Sequence, residues 1–132
     1  MSELNKPVGM EALFKALADR TRLRIINLIA QDEICVCFFV EVLQVKQSRI
    51  SRHLAYLRKA GLVTGRRDGK WIHYRLAELP DPDAAHVFNE VRARLGQNGD
   101  MQLDRKRFLS LCHSAQPSVQ LQRAPRPTSL TL

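Results

Sequence analysis

The segment between Val36 and Leu76 changes its hydrophobic period once, and that change restricts the fold more than any other feature of the chain. Val36, Phe39, Val40 and Leu43 recur at i, i+3, i+4 and i+7, which predicts a short helix over about 36–43. After the short connection QVKQ, the stretch SRISRHLAYLRKAG reads as a second helix, capped by Ser48 and running to about Lys59. Ile50, Leu54 and Leu57 form its inward face, and Ala60 and Gly61 end it. Two helices joined by so short a turn predict a helix-turn-helix. The period then becomes two: LVTGRR and WIHYRL flank RRDGK, with Asp68-Gly69 as the predicted turn of a hairpin. Arg67 and Lys70 fall near its tip. The predicted fold is mainly α with a two-stranded β-hairpin, a winged helix-turn-helix.

The flanks add helices. Met10, Leu13, Phe14 and Leu17 give residues 8–18 helical spacing, with Pro7 at or before the first turn. Asp19 is suited to N-cap a second helix that buries Leu23, Ile26 and Ala30, widened by Ile25 and Ile29, with Asn27 toward water. Pro80 and Pro82 mark the exit from the wing. A helix from about Asp83 carries Ala84, Val87, Phe88, Val91 and Leu95; Asp100 is expected to cap a last one with Leu103, Phe108 and Leu111. This divides the chain into a DNA-binding and dimerisation domain over 1–96, a helical extension over 97–113 that carries Cys112, and a tail over 114–132. The tail is rich in Ser, Pro, Gln and Thr and is expected to be disordered. A chain of 132 residues has limited core volume and gains from a partner. The first helix and the helix from Asp83 have apolar stripes that the reading head does not need, so they are the expected homodimer interface.

Charge points to the other partner. The nine basic residues Lys46, Arg49, Arg52, Arg58, Lys59, Arg66, Arg67, Lys70 and Arg75 are opposed within their block by Asp68 alone. The rest of the chain carries twelve side chains of each sign, so the whole net charge of +8 lies in that block. A polyanion is the expected ligand. In a helix-turn-helix the second helix enters the major groove. Arg49 is suited to bidentate hydrogen bonding with guanine and Gln47 with adenine. Ser48 is suited to a phosphate at the helix N-terminus. Arg52 and His53 share that end of the helix. Arg66, Arg67 and Lys70 are expected at phosphates or the minor groove. Two units about a two-fold axis would read a palindromic double-stranded operator. No apolar run is long enough to span a membrane, the start MSELNKPVG does not read as a signal peptide, and three cysteines make no disulfide framework. A cytoplasmic protein with no membrane partner and no enzymatic activity is expected.

Cys35 and Cys37 stand two apart just before the supporting helix. They read as buried filler, a redox pair or two arms of a clamp for a soft ligand. Side chains two apart on a regular helix do not face each other, so chelation calls for an opened first turn. Cys112 is a candidate third thiolate. Three sulfurs suit trivalent arsenic or antimony, whereas zinc usually takes four ligands. Asp81, Asp83, His86 and Glu90 form a second polar group, read either as a zinc site across a dimer or as a solvated face.

The order ICVCFFVEVL, QSRISRHLAYLRKAGLV and RRDGKWIHYRL resembles the ArsR/SmtB family of winged-helix repressors, and within it the arsenic-responsive branch. The resemblance covers about Met10 to Leu95. It implies a homodimer that represses an arsenic-resistance operon and leaves operator DNA when As(III) or Sb(III) binds, with Cys35 and Cys37 as metal ligands. The chain departs from the branch's C-V-C-D-L pattern at Phe38, and a third cysteine that some relatives carry is Val40 here. Cys112 is then the expected substitute ligand, or else a two-thiol site favours methylated trivalent arsenicals. A redox-sensing repressor that uses cysteine oxidation, a thiol enzyme of arsenic detoxification and a protein-interaction module with a basic wing are the alternatives.

Overall fold

In the computed structural model the described residues are 9–29, 32–114, 124, 125 and 127. Helix α1 (Met10–Leu17) starts after Gly9 and buries Leu13, Ala16 and Leu17. Asp19 then caps α2 (Arg20–Leu28), its carboxylate accepting from the Arg22 N–H at 3.0 Å, as its sequence position predicts. Helix α3 (Val36–Leu43) has the predicted bounds. Its C-cap Gln44 adopts a left-handed φ of 56°, which turns the chain within three residues into α4 (Gln47–Lys59). The N-cap of α4 is Lys46, without a side-chain bond, so Ser48 lies inside the first turn and does not cap. Ile50, Leu54 and Leu57 are buried as expected.

The wing is β2 (Val63–Asp68) and β3 (Trp71–Leu76), paired antiparallel from Val63–Leu76 to Asp68–Trp71. Asp68 is therefore the last strand residue, and the two turn residues are Gly69 and Lys70, one position later than the Asp-Gly reading. Gly69 has φ of 61°, a conformation open to glycine without steric cost. The sheet has a third member that hydrophobic periodicity does not reveal. Ile34–Cys35 form β1, which pairs with β3 at Tyr74 and His73, giving the order β1-β3-β2. Two residues are too few for a period to register.

Helix α5 (Pro82–Leu95) is capped by Asp81, and α6 (Gly99–Cys112) by Asn98, which displaces the expected Asp100 cap. Phe108 of α6 is fully buried and meets Phe38 of α3 edge-on, ring centroids 5.6 Å apart. Arg24 of α2 holds Asp104 of α6 through two hydrogen bonds of 2.7 and 2.9 Å. Asn27, expected toward water, instead donates to the Met101 carbonyl at 2.9 Å. Once α6 lies against α2, that side of α2 is no longer solvent. No helix among the described residues is long and apolar enough to cross a membrane. Of the tail predicted to be disordered, Ala124 and Pro127 are buried; 115–123, 126 and 128–132 lie outside the described residues.

Candidate functional site

The two clustered thiols meet because a strand becomes a helix between them. Cys35 ends β1 with extended backbone (φ −68°, ψ 143°) and serves as the N-cap residue of α3, while Cys37 belongs to the first helical turn. This brings Cys37 Sγ to 2.9 Å from Cys35 Sγ, with the Cys37 thiol donating. A continuous helix could not do this at i and i+2. The hydrogen bond from Cys37 pulls the Cys35 thiol down to about 7, against the effect of burial, with backbone N–H groups of Cys37, Ile72 and Val36 adding to it. Cys37 moves the other way: its proton is held by Cys35, it is buried, and the charge on Cys35 opposes a second ionisation. The pair thus loses one proton readily and the second with difficulty.

A cleft of about 330 Å³ opens beside the pair. Its other walls are Gln47 and Ser51 of α4 and Lys70, Trp71, Ile72 and Tyr74 of the wing. Cys112 is not among them. It is buried at the end of α6, which is anchored on α2 and α3. Among the described residues no three His, Cys, Asp or Glu side chains gather in a group that could hold a metal ion. The expected three-sulfur cluster is therefore not assembled within one protomer, and neither is a site from Asp81, Asp83, His86 and Glu90. Asp81 is instead engaged as a helix cap.

On α4, Gln47, Ser48, Arg49 and Arg52 are exposed, and so is Ser51, one turn after Gln47 on the same side. Sequence reasoning missed Ser51; its i+4 spacing from Gln47 was the available signal. His53 is turned away from that face. Its side chain is 16% exposed, with Nδ1 at 3.9 Å from Asp19 Oδ1 and 3.5 Å from Arg22 Nη1. Burial lowers its pKa, Asp19 raises it, and Arg22, Arg49 and Arg52 lower it further. His53 thus braces α4 on α2 and does not stand with the exposed base-reading candidates. Arg22 completes this junction: it lies over Tyr56 at 4.2 Å and donates to the carbonyls of Ala16 and Lys15.

In the wing, Arg67 and Lys70 are exposed. Lys70 Nζ lies 5.1 Å from the Trp71 ring centroid. Arg66 is exposed but engaged: its Nε and Nη2 donate to both Glu33 carboxylate oxygens at 2.8–3.1 Å. The hydrogen bond from Arg66 holds the Glu33 carboxyl below its ordinary range. Glu33 directly precedes β1, so the residue expected at a phosphate is tied to the strand that carries Cys35. That link needs the β1–β3 pairing and could not be read from spacing. His73, opposite Cys35 on β3, is buried, and its Nε2 has no hydrogen-bond partner among the described residues, with Asp68 Oδ2 4.0 Å away.

Residues 19–64 match the family described as bacterial regulatory protein, arsR family. Over 80 residues the chain is 48% identical to the arsenical resistance operon repressor of Escherichia coli (strain K12), a match covering 60% of this chain and 68% of that protein. Over 70 residues it is 52% identical to the arsenic resistance transcriptional regulator ArsR1 of Pseudomonas putida, covering 52% of this chain and 55% of that protein. The match thus spans little more than half of the Pseudomonas protein's length. Among solved structures, HlyU from Vibrio cholerae superposes with a TM-score of 0.56 at 28% identity, over 64% of this chain and 88% of that one. The homodimeric winged helix-turn-helix DNA-binding domain Mb0332 from Mycobacterium bovis gives 0.54 at 31% identity, over 67% and 80%. The chain belongs to the ArsR family of bacterial regulatory proteins, with the winged helix-turn-helix of its structural neighbours.

Proposed function

We propose that this protein is an arsenic-responsive transcriptional repressor, a homodimer that holds operator DNA through α4 and the wing and releases it when Cys35 and Cys37 bind trivalent arsenic or antimony. The observation that carries this reading is the placement of the thiol pair. Two soft donors 2.9 Å apart sit where β1 becomes α3, beside a cleft walled by α4 and the wing. A trivalent metalloid offers soft valences to thiolate sulfur. Drawing the two sulfurs onto one centre strains both neighbours of the pair. The first turn of α3 is the start of the helix that supports α4, and β1 is hydrogen-bonded to β3 of the wing. Both DNA-reading elements are coupled to the thiols this way.

Gln47, Ser48, Arg49, Ser51 and Arg52 are the proposed contacts of the reading helix, and Arg67 and Lys70 those of the wing. Two protein sulfurs leave one metalloid valence for an exogenous group. Methylated trivalent arsenicals therefore fall within the proposed inducer class, and Cys112 acts as a ligand only after a rearrangement or across subunits. The dimer is proposed to form through α1 and α5. Phe14 of α1 is 54% exposed, and an open groove beside α5 is lined by Leu23, Val87, Val91 and Leu95 alongside polar side chains that include Glu90 and Arg94.

The test uses full-length protein and an operator fragment selected by the protein from random duplexes. Cys35→Ser and Cys37→Ser should bind that fragment like the parent by fluorescence anisotropy and keep it in arsenite concentrations that free the parent. Cys112→Ser should release normally if two sulfurs suffice. Normal release by both Cys35→Ser and Cys37→Ser would eliminate the thiol pair as the inducer site. Release by peroxide without arsenite would favour the oxidation-sensing alternative.

A further inference from the structure

The charge outside the basic block sums to zero, yet it is sorted in space. Asp100 and Asp104 of α6 turn to Arg20 and Arg24 of α2. On another side of the same helix, Arg105 and Lys106 line a cleft of about 550 Å³ together with Arg92 of α5, Gln102 and the α2 residues Ile26 and Asn27. No carboxylate among the described residues pairs with Arg92, Arg105 or Lys106. Three cations therefore share a cleft whose lining, among the described residues, holds no carboxylate.

The two arginines are also held in place. Arg92 lies over the Phe88 ring with its guanidinium carbon 6.0 Å from the centroid, and Arg105 lies over Phe108 at 5.2 Å. Each commits one nitrogen: Arg92 Nη1 donates to Asn89 Oδ1 at 3.2 Å and Arg105 Nη1 to the Leu28 carbonyl at 3.0 Å. The Nε and Nη2 donors of both make no hydrogen bond among the described residues. A guanidinium fixed on a ring with donors to spare is suited to paired hydrogen bonds with an oxyanion and loses little entropy on binding. The C-terminal carbonyls of α5 end beside the cleft and oppose an anion, but Gly96 N–H and the Gln102 amide already engage some of them. The volume is that of a small-molecule site, roughly 300–1,000 Å³, and exceeds what a bare oxyanion fills.

We propose that the cleft between α2, α5 and α6 binds a small organic phosphate, with Arg92 and Arg105 forking its oxygens and Lys106 adding charge at the rim. The site is separate from the thiol pair and from α4. It lies on a different flank of α5 from the groove of Val87 and Val91.

The experiment titrates the full chain with inorganic phosphate and with phenyl phosphate, replacing chloride at constant ionic strength, and follows the Nε–H resonances of each arginine. The expected result is saturable shifts at Arg92 and Arg105, with phenyl phosphate binding at least tenfold tighter than inorganic phosphate. Arg92→Gln should weaken both by at least tenfold, Arg92→Lys should weaken them less, and operator affinity should be unchanged in each. Shifts that fail to saturate, or that are alike for all arginines, would mean screening alone and overturn the proposal. Equal affinity for the two phosphates would overturn the organic class. A loss of operator affinity in Arg92→Gln with a shallower salt dependence would reassign the cleft to the DNA backbone.

Discussion

At the scale of single residues, the thiol pair is governed by one hydrogen bond. Cys35 is activated because Cys37 stays protonated and donates to it, while backbone N–H groups at the start of α3 and on β3 offset the burial. A helix N-terminus next to a thiol is a general route to a reactive thiolate. Cys37→Ala removes the leading contribution and should return Cys35 toward the ordinary thiol pKa of about 8.5. A folded-state thiol near 7 is largely thiolate above that pH, so the parent's iodoacetamide labelling at Cys35 should rise through pH 6–8. In Cys37→Ala the rise should move upward by about one unit or more, with labelling at pH 7 about threefold to tenfold slower after the partly offsetting gain in nucleophilicity. Mass spectrometry of the Cys35 peptide measures this. Equal profiles in the two proteins would show that Cys37 does not set the reactivity of its neighbour.

At the scale of elements, β1 decides how the site is wired. Two residues of strand place Cys35 against His73 of the wing, and Glu33 just before them takes up Arg66. Arg66 is 54% exposed and Glu33 is near the surface, so the pair adds little to stability and acts on the availability of one cation. Glu33→Gln should release Arg66 to the DNA phosphates. The slope of log affinity against log salt should then steepen by about one unit, the effect of one further neutralised phosphate. Operator affinity should rise at low salt, measured by anisotropy across a potassium chloride series. An unchanged slope would mean that Arg66 stays away from DNA whether or not Glu33 holds it.

At the scale of the whole molecule, the proposed palindrome calls for two reading heads, and the groove beside α5 is where a second copy is proposed to sit. Val91 is half-buried in the single chain and lines that groove with Leu23, Val87 and Leu95. A charge placed among those aliphatic side chains meets water in a monomer and is buried in the proposed dimer. Val91→Glu should give monomers in analytical ultracentrifugation and lower operator affinity by at least a hundredfold, while circular dichroism shows the fold retained. A Val91→Glu dimer of parental affinity would place the interface elsewhere.

Elements whose physics is local could be read from the residues alone. Leu54 and Leu57 had to face inward because the 3.6-residue period leaves them no other side, Asp19 had to cap because its carboxylate reaches an N–H three residues on, and α3 took its predicted bounds. The basic block was visible because nine like charges within thirty residues need no fold to be noticed. Packing between distant segments settled the rest. It drew Ile34–Cys35 onto the wing, tied Arg66 to Glu33, turned His53 onto Asp19 and Arg22, placed Asn27 under α6, and left Cys112 of the same protomer outside the cleft beside the thiol pair. Each of those outcomes depends on residues at a chain separation that no periodicity spans, and each is set by how the helices and the sheet pack.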